Sequence, residues 1–287
     1  MTPNPPEGPE SRWSDLERPP LNAASLRRAL VRDETLWTSL DVLESVGSTN
    51  TELADRARVG TARPGAVLVA EEQTAGRGRL DRTWTAPPRS GLFLSVLLAP
   101  QAPAVRWGWL ALLTGVATAS ALARTAGVDT ALKWPNDLLV EVAGEERKAG
   151  GILAERVTEE TVVVGVGLNV SLRAAELPVP EAGSLALAGA HTTDRDPLLR
   201  AVLRSIADWY GRWDAAAGDH TASGLLEAYA AGCATLGRTV RAELPGGEEL
   251  TGEAVAVDGD GRLVLATEAG VQRPVAAADV VHLRGAA

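Results

Sequence analysis

The sequence predicts an α/β domain followed by a small all-β domain. Up to about residue 235, apolar segments of strand length alternate with segments of helical periodicity, the longest of them at 105–126. From Gly237 onward, short β segments alternate with glycine-containing turns, and four or five strands at this spacing are typical of a small barrel of SH3-like size. We therefore divide the 287 residues into a leader at 1–20, a larger domain at 21–235 and a barrel at 236–287.

The overall charge argues against a nucleic-acid or membrane partner. The formal net charge is −9, so no attraction to phosphate backbones or anionic lipids is expected. No uninterrupted apolar run reaches the roughly 18 residues that suggest a membrane-spanning helix. The single cysteine, Cys233, cannot form an internal disulfide, which fits a reducing cytoplasm. The three histidines are scattered, so we predict no structural metal site.

The N-terminal region predicts no DNA-binding unit. Residues 1–20 are rich in Pro, Glu and Arg and read as a disordered leader without the features of a secretory signal. Only one helix candidate, at 21–37, precedes the first strand candidate at 40–43. A helix-turn-helix domain needs about three helices, so we expect none here.

A cluster of small polar residues precedes the next helix. In the segment 47–52, Thr49 and Glu52 have the spacing of a capping box. Ser48, Thr49 and Asn50 could equally present hydroxyl and amide groups to a polar ligand. This segment alone does not decide between helix capping and ligand binding as the role of these residues.

The segment from Gly76 to Trp84 indicates an anion site. It carries Arg77, Arg79 and Arg82, and it lies in a connection of 19 residues, 73–91, which we call the arginine loop. Glycines allow a close backbone approach, and guanidinium groups bind carboxylates and phosphates through paired hydrogen bonds. A solvated basic loop is the alternative. Asp81 places a carboxylate among the arginines, and we expect it to face solvent.

Three further strand candidates, at 138–142, 149–157 and 161–170, predict an antiparallel meander. Proline is excluded from central ladders, so Lys133-Trp134-Pro135-Asn136-Asp137 must form a strand end or turn. Glycines inside the next two strands mark close approach of a ligand or another backbone. Neither a P-loop nor a dinucleotide fingerprint is present. Two helix candidates, at 196–217 and 222–231, complete the larger domain.

From about residue 40 onward, the motifs taken in order resemble those of the biotin protein ligases. The matching segments are Ser48-Thr49-Asn50, Gln73, Gly76-Arg77-Gly78-Arg79-x-x-Arg82-x-Trp84, Lys133-Trp134-Pro135-Asn136-Asp137, Lys148-x-x-Gly151-Ile152-Leu153 and Gly165-x-Gly167-x-Asn169. The resemblance implies an α/β (α+β) catalytic domain related to class II aminoacyl-tRNA synthetases, with a mixed sheet and a C-terminal SH3-like barrel. The sequence is similar to those family members that are ligases without being repressors. A homodimer is possible.

The resemblance also implies a two-step, ATP-dependent reaction. The biotin carboxylate attacks the α-phosphate of Mg-ATP to give biotinyl-5′-AMP and pyrophosphate. A lysine of a biotin carboxyl carrier protein domain, from acetyl-CoA carboxylase or a related carboxylase, then displaces AMP. Biotin and ATP are thus the implied substrates, and Mg²⁺ the implied cofactor.

Site residues follow from the same resemblance. The implied catalytic residues are Lys148, Arg79 and Asp137, with Mg²⁺ carried by ATP near Asp137. The implied biotin-binding residues are Ser48, Thr49, Asn50, Gln73, Gly76, Arg77, Lys148 and Gly151. The implied adenylate-binding residues are Arg79, Arg82, Trp84, Asn136 and Asn169.

Three alternatives remain. A lipoate ligase or octanoyl transferase acts on similar lysines, but a thioester transferase needs a nucleophilic cysteine, and Cys233 lies outside every motif. A biotin-sensing repressor needs a DNA-reading element, which the sequence does not show. A binding module without activity would not need the charged residues Lys148, Arg79, Arg82 and Asp137.

Overall fold

The computed structural model describes residues 18–80, 82–244, 247–276 and 278–283. The predicted leader lies outside this range up to residue 17, as does Asp81. Within the described ranges, no helix has the length and apolar character needed to cross a membrane.

A seven-stranded mixed sheet forms the centre of the larger domain. Its strand order is β1-β2-β5-β9-β8-β7-β6, in which β1 and β2 are parallel and every other pair is antiparallel. Strands β7, β8 and β9 form the predicted meander. The seven strands are β1 (Ser39–Leu43), β2 (Ala66–Ala70), β5 (Gly91–Leu98), β6 (Thr130–Lys133), β7 (Asp137–Val142), β8 (Glu145–Arg156) and β9 (Val162–Asn169), and a two-stranded hairpin of β3 (Gly76–Arg77) and β4 (Thr83–Trp84) lies inside the arginine loop.

Helices cover the sheet, which explains why every residue of β2 and β5 is buried. Helix α2 packs against β5 and β9. Helix α3 packs against α4, α5 and the strands β6, β7 and β8. Helix α3 ends at Ala126, and Gly127, which follows it, has a positive φ of 66° that favours glycine. The helices are α1 (Ala23–Leu30), α2 (Thr49–Arg58), α3 (Trp109–Ala126), α4 (Arg195–Ala215) and α5 (Leu225–Gly232).

Two local expectations were wrong. The helix predicted at 21–37 ends at Leu30, and a turn with Glu34 at a positive φ of 67° separates it from β1. The capping box is absent: Ser48 is the N-cap of α2, and Glu52 pairs with Arg56 at 2.8 Å instead of reaching back.

The C-terminal part forms a five-stranded antiparallel sheet, ordered β13-β12-β11-β10-β14. Trp109 and Trp134 of the larger domain donate their indole N–H groups to the carbonyls of Gly259 and Gly261 at 3.1 Å, which holds a turn of this sheet against the larger domain. The five strands agree with the four or five that the sequence predicted. The strands are β10 (Thr239–Glu243), β11 (Glu249–Val257), β12 (Leu263–Ala266), β13 (Gln272–Val275) and β14 (Asp279–His282).

Candidate active site

One cavity gathers residues from seven separate parts of the chain, with the arginine loop counted as one of them. It lies over the glycine-bearing middle of β8 and β9, beneath the arginine loop and beside β14. Of the residues that the sequence predicted, it is lined by Ser48, Thr49, Asn50, Gln73, Arg77, Arg79, Arg82, Trp84, Asn136, Asp137, Lys148 and Gly151. Gly76 and Asn169 do not line it.

The two predicted residues outside the lining are structural neighbours of the cavity. Gly76 belongs to the β3–β4 hairpin, where a Cβ atom would lie 2.5 Å from the Trp84 carbonyl oxygen, so glycine is required. Asn169 is buried at the end of β9 and donates its amide to the Gly183 carbonyl at 3.0 Å. Its Oδ1 atom has no hydrogen-bond partner among the described residues.

A neutral polar region, which we call the neutral end, closes one side of the cavity. It consists of the side chains of Ser48, Thr49 and Gln73. The backbone N–H and the hydroxyl of Thr49 both donate to Gln73 Oε1, at 2.8 and 3.1 Å. Ser48 and Thr49 are buried, so this end is held by α2 and the first residues of the arginine loop.

Asn50 supports the neutral end from behind. Its side-chain amide donates to the Leu153 carbonyl at 3.1 Å and to Glu155 at 2.9 Å, and its Oδ1 accepts from Ser95 at 2.6 Å. A Cβ atom on Gly165 would lie 2.1 Å from that Oδ1. Gly165 therefore leaves the space that Asn50 fills. The predicted contact of Asn50 with a ligand stays a prediction.

Lys148 and Asp137 form an ion pair on the floor of the cavity. Their Nζ and Oδ1 atoms are 2.6 Å apart, across the β7–β8 pairing, where a bulge lies between Leu138 and Leu139. Gly151 lies opposite Asp137 and keeps the floor open beside the lysine. Asn136 donates to the Ile152 carbonyl at 2.8 Å and so fixes the preceding turn to β8.

The arginine side chains form a second region, which we call the cationic end. Arg77 pairs with Glu155 at 3.0 Å. Arg79 donates to the Ala278 carbonyl at 3.3 Å, and Arg82 forms an ion pair with Asp279. These three arginines therefore contact β8 on one side and the C-terminal sheet on the other.

The protonation of this end follows from its contacts. Burial lowers the pKa of Arg79, with Asp137 and Asp279 acting in the opposite direction. The hydrogen bond to Asp279 raises the pKa of Arg82. Burial opposes ionisation of Asp279, but the hydrogen bond and charge of Arg82 outweigh it and lower the pKa of that carboxyl. Arg82 and Asp279 thus favour each other's charged forms.

Trp84 lies flat against two glycines in the middle of the cavity. A Cβ atom on Gly167 would come within 3.0 Å of the indole ring, and one on Gly151 within 3.4 Å. Lys148 Nζ is 5.9 Å from the ring centroid. The sequence analysis predicted that the glycines in β8 and β9 mark a close approach of a ligand or another part of the chain. In the structure, two of them leave room for the Trp84 ring.

Sequence reasoning named no site residue in the C-terminal sheet, yet Ala278, Asp279 and Val280 line the cavity. Lys133, at the end of β6 in the Lys133–Asp137 motif, lines it as well. Asp279 stands 197 residues from its partner Arg82 along the chain, so no local pattern could have linked them.

Comparison with known proteins identifies the family. The sequence model of the biotin/lipoate A/B protein ligase family matches residues 42–170, and that of the biotin protein ligase C terminal domain matches residues 235–283. The biotin–(acetyl-CoA-carboxylase) ligase of Mycobacterium tuberculosis is 42% identical over 275 residues, which cover 94% of this chain and 98% of that protein. The chain belongs to the biotin protein ligase family. The resemblance inferred from the motifs is confirmed.

Other relatives and solved structures agree with this. The ligase is 34% identical to the bifunctional ligase/repressor BirA of Bacillus subtilis over 81% of its own chain and 70% of that protein. The biotin protein ligase from Aquifex aeolicus in complex with biotin and ATP matches the fold with a TM-score of 0.68 and 25% identity, covering 86% of the ligase and 100% of that chain. The Leishmania major enzyme in complex with biotinyl-5-AMP gives a TM-score of 0.56 at 25% identity, covering 84% and 99%. The predicted fold class is confirmed.

Proposed function

We propose that this ligase joins biotin and ATP to form biotinyl-5′-AMP and then transfers the biotinyl group to a lysine of a biotin carboxyl carrier protein domain. The single observation that carries the proposal is the cavity, which places a neutral end, a lysine and an arginine cluster side by side. Biotin has a neutral ureido ring and a carboxylate, and ATP adds further anionic groups. The neutral end suits the ureido ring, and the lysine and the cationic end suit the carboxylate and the phosphates.

The neutral end suits the ureido ring. That ring needs hydrogen-bond donors and acceptors in fixed directions, and buried hydroxyl and amide groups supply both. Ser48, Thr49 and Gln73 are the residues proposed to hydrogen-bond this ring. Asn50 holds α2 against β8 behind them. Gly151 is proposed to leave room for biotin beside Lys148, and Gly76 to act indirectly by allowing the β3–β4 hairpin to form.

Lys148 is the proposed catalytic cation. Bringing a carboxylate to the α-phosphate of ATP places two anions together, so a positive charge must stand at the point of attack. The ammonium group lies 2.6 Å from Asp137 in the free enzyme. We propose that the biotin carboxylate takes one of its hydrogen bonds while Asp137 keeps the lysine oriented.

The arginine loop is the proposed site for the adenylate. Arg79 and Arg82 would bind phosphate oxygens, Arg77 would lie by the biotin side, and Trp84 would stack on a flat ring of the ligand. Asn136 and Asn169 are proposed to lie near the nucleotide. The unpartnered Oδ1 of the buried Asn169 is consistent with a donor from the ligand.

Mg²⁺ is proposed to arrive with ATP. Among the described residues, no group of three or more His, Cys, Asp or Glu side chains could hold a metal ion. Mg²⁺ commonly takes one or two carboxylates and completes its shell with substrate phosphates and water. Asp137 is the residue that we propose would contact it, and the ion would neutralise phosphate charge.

The remaining predictions of the sequence are proposals too. We propose a boundary near residue 235 between the catalytic domain and the barrel, a cytoplasmic enzyme, no nucleic-acid partner and a possible homodimer. Sedimentation velocity with and without biotin and ATP tests the last of these.

A transfer assay tests the function. The purified enzyme is mixed with a biotin carboxyl carrier protein domain, labelled biotin and Mg-ATP, beside reactions without ATP and with lipoate. Labelling by biotin that requires ATP supports the proposal. No labelling by biotin, or labelling by lipoate alone, would contradict it and would void the ureido assignments.

A further inference from the structure

A buried ion pair lies outside the cavity, at the base of the arginine loop. Arg195, the first residue of α4, and Glu71, the residue after β2, are 2.6 Å apart, and their side chains are 4% and 7% exposed. Most ion pairs among the described residues are far more exposed. A charge pair removed from water is tolerated only when its remaining hydrogen bonds are also made.

Those hydrogen bonds go to two backbone segments. The second oxygen of Glu71 accepts from the Leu21 N–H at 2.6 Å, and Arg195 donates to the Pro19 carbonyl at 2.7 Å. Arg195 also lies 3.3 Å from the Gly91 carbonyl oxygen. The pair therefore joins the segment at 18–22, which we call the N-terminal strap, to both ends of the arginine loop.

Arg18 connects the strap to the segment that follows β9. This arginine is 6% exposed, and it pairs with Glu176 at 2.5 Å. It also donates to the Ser171 hydroxyl at 3.1 Å and to the Ser171 carbonyl at 2.9 Å. The N–H of Ser171 in turn donates to the Ser90 carbonyl, one residue before β5 begins. The strap thus fixes the C-terminal end of the arginine loop a second time.

The chain between these fixed points carries much of the cavity. Gln73, Arg77, Arg79, Arg82 and Trp84 all lie between Glu71 and Gly91. Their reach into the cavity depends on where the two ends of the loop stand. Fixing the ends removes conformations in which the loop stands away from the cavity.

We propose that Arg18, Glu71 and Arg195 are positioning residues that retain the reaction intermediate: they hold the ends of the arginine loop through the N-terminal strap. This rests on the proposed function, since the intermediate is biotinyl-5′-AMP. None of the three residues touches the cavity. Their loss should affect how long the adenylate stays bound and leave its rate of formation largely unchanged.

The test uses Arg18→Gln in the full-length chain, with Arg212→Gln as the matched control. Arg212 also pairs with a carboxylate, but on the exposed face of α4. The measurement is the rate at which preformed biotinyl-5′-AMP leaves the enzyme, normalised to the folded fraction. We expect release about tenfold faster in Arg18→Gln, as for the loss of one charge-assisted hydrogen bond, and an unchanged rate in the control.

A second comparison separates positioning from loss of stability. Ile206→Ala removes a fully buried side chain of α4 away from the loop and lowers stability without touching the strap. Faster release in Arg18→Gln but not in Ile206→Ala supports the proposal. Equal release in both, or a release rate in Arg18→Gln equal to that of the unchanged enzyme, overturns it.

Limited trypsin digestion tests the strap without relying on activity. Proteases cut a segment faster when its backbone opens locally, so the rate of cleavage after Arg77, Arg79 or Arg82 reports the mobility of the loop. Arg18→Gln and Glu71→Gln should be cut there several-fold faster than Arg212→Gln in the ligand-free enzyme. If no adenylate forms in the unchanged enzyme, the proposed function fails. If cleavage rates are equal, the strap proposal fails.

Discussion

The two ends of the cavity are built differently. At the neutral end, Thr49 and Asn50 are each only 4% exposed, and their polar atoms are bonded to Gln73, Ser95 and β8. At the cationic end, the side chains of Arg77 and Arg82 are 46% and 60% exposed and are paired with carboxylates. A bound ligand can use the neutral end as it stands, whereas its phosphates must replace carboxylates at the cationic end.

This difference separates the expected effects of substitution. Groups in a buried, fully bonded network contribute to the free energy of unfolding, because removing one leaves its partners unsatisfied. Exposed ion pairs contribute little to stability. Defects at the neutral end should therefore appear as lost stability, and defects at the cationic end as altered kinetics. The following substitutions test that contrast.

Lys148→Met should have the largest effect. It removes the cation next to the point of attack, and loss of one such group typically reduces the catalytic rate by about 100- to 1000-fold. The lysine side chain is 36% exposed, so the free energy of unfolding should change little. Biotin-dependent exchange of pyrophosphate into ATP measures the rate, and urea unfolding provides the stability control. A rate within tenfold of the unchanged enzyme would contradict the role of this lysine.

Arg79→Gly should release the adenylate about ten- to a hundredfold faster, as expected from the loss of one or two charge-assisted hydrogen bonds. Free biotinyl-5′-AMP would then label lysines of bystander proteins. A mixture of the carrier domain with bovine serum albumin reports this. Labelling that stays confined to the carrier domain would show that Arg79 does not retain the intermediate.

Gly165→Ala should act on the neutral end through stability. The added methyl group would meet Asn50 Oδ1 at 2.1 Å, and overpacking of this kind typically costs about 1–3 kcal/mol. Asn50→Ala removes the obstructing amide, so the double variant should be more stable than the sum of the two single effects. Urea unfolding of all four proteins gives the coupling. Simple additivity would mean that Gly165 and Asn50 do not share this space.

Glu155→Gln should have the smallest effect on stability. It weakens an ion pair whose arginine is 46% exposed, so the free energy of unfolding should fall by at most about 1 kcal/mol. The neutral amide can still accept from Asn50. Urea unfolding in low and high salt measures the change. A loss well above this value would place Glu155 with the buried network of the neutral end.

The sequence predicted much of the fold because its signals are local. Alternating apolar segments and glycine-containing turns located the strands within a few residues, and the motif segments converged on one cavity as expected. Helix ends were less predictable: the periodicity of α1 suggested a longer helix, but the chain turns after Leu30.

The ion pairs that the sequence did not predict join residues far apart along the chain. Asp279 meets Arg82 only because β14 pairs with β10 at the edge of the C-terminal sheet. Glu71 and Arg195 are 124 residues apart, and each resembles an ordinary surface charge in the sequence. Burial of a charged side chain is set by tertiary packing, which local patterns do not contain.

Hydrogen exchange tests the contrast between the two ends most directly. Amide exchange is followed by mass spectrometry in the free enzyme and with biotinyl-5′-AMP bound. We predict that peptides covering the start of α2 are protected in both states, while peptides covering 76–84 gain at least about tenfold protection on binding. Equal protection of the two regions in the free enzyme, unchanged by the ligand, would contradict the account.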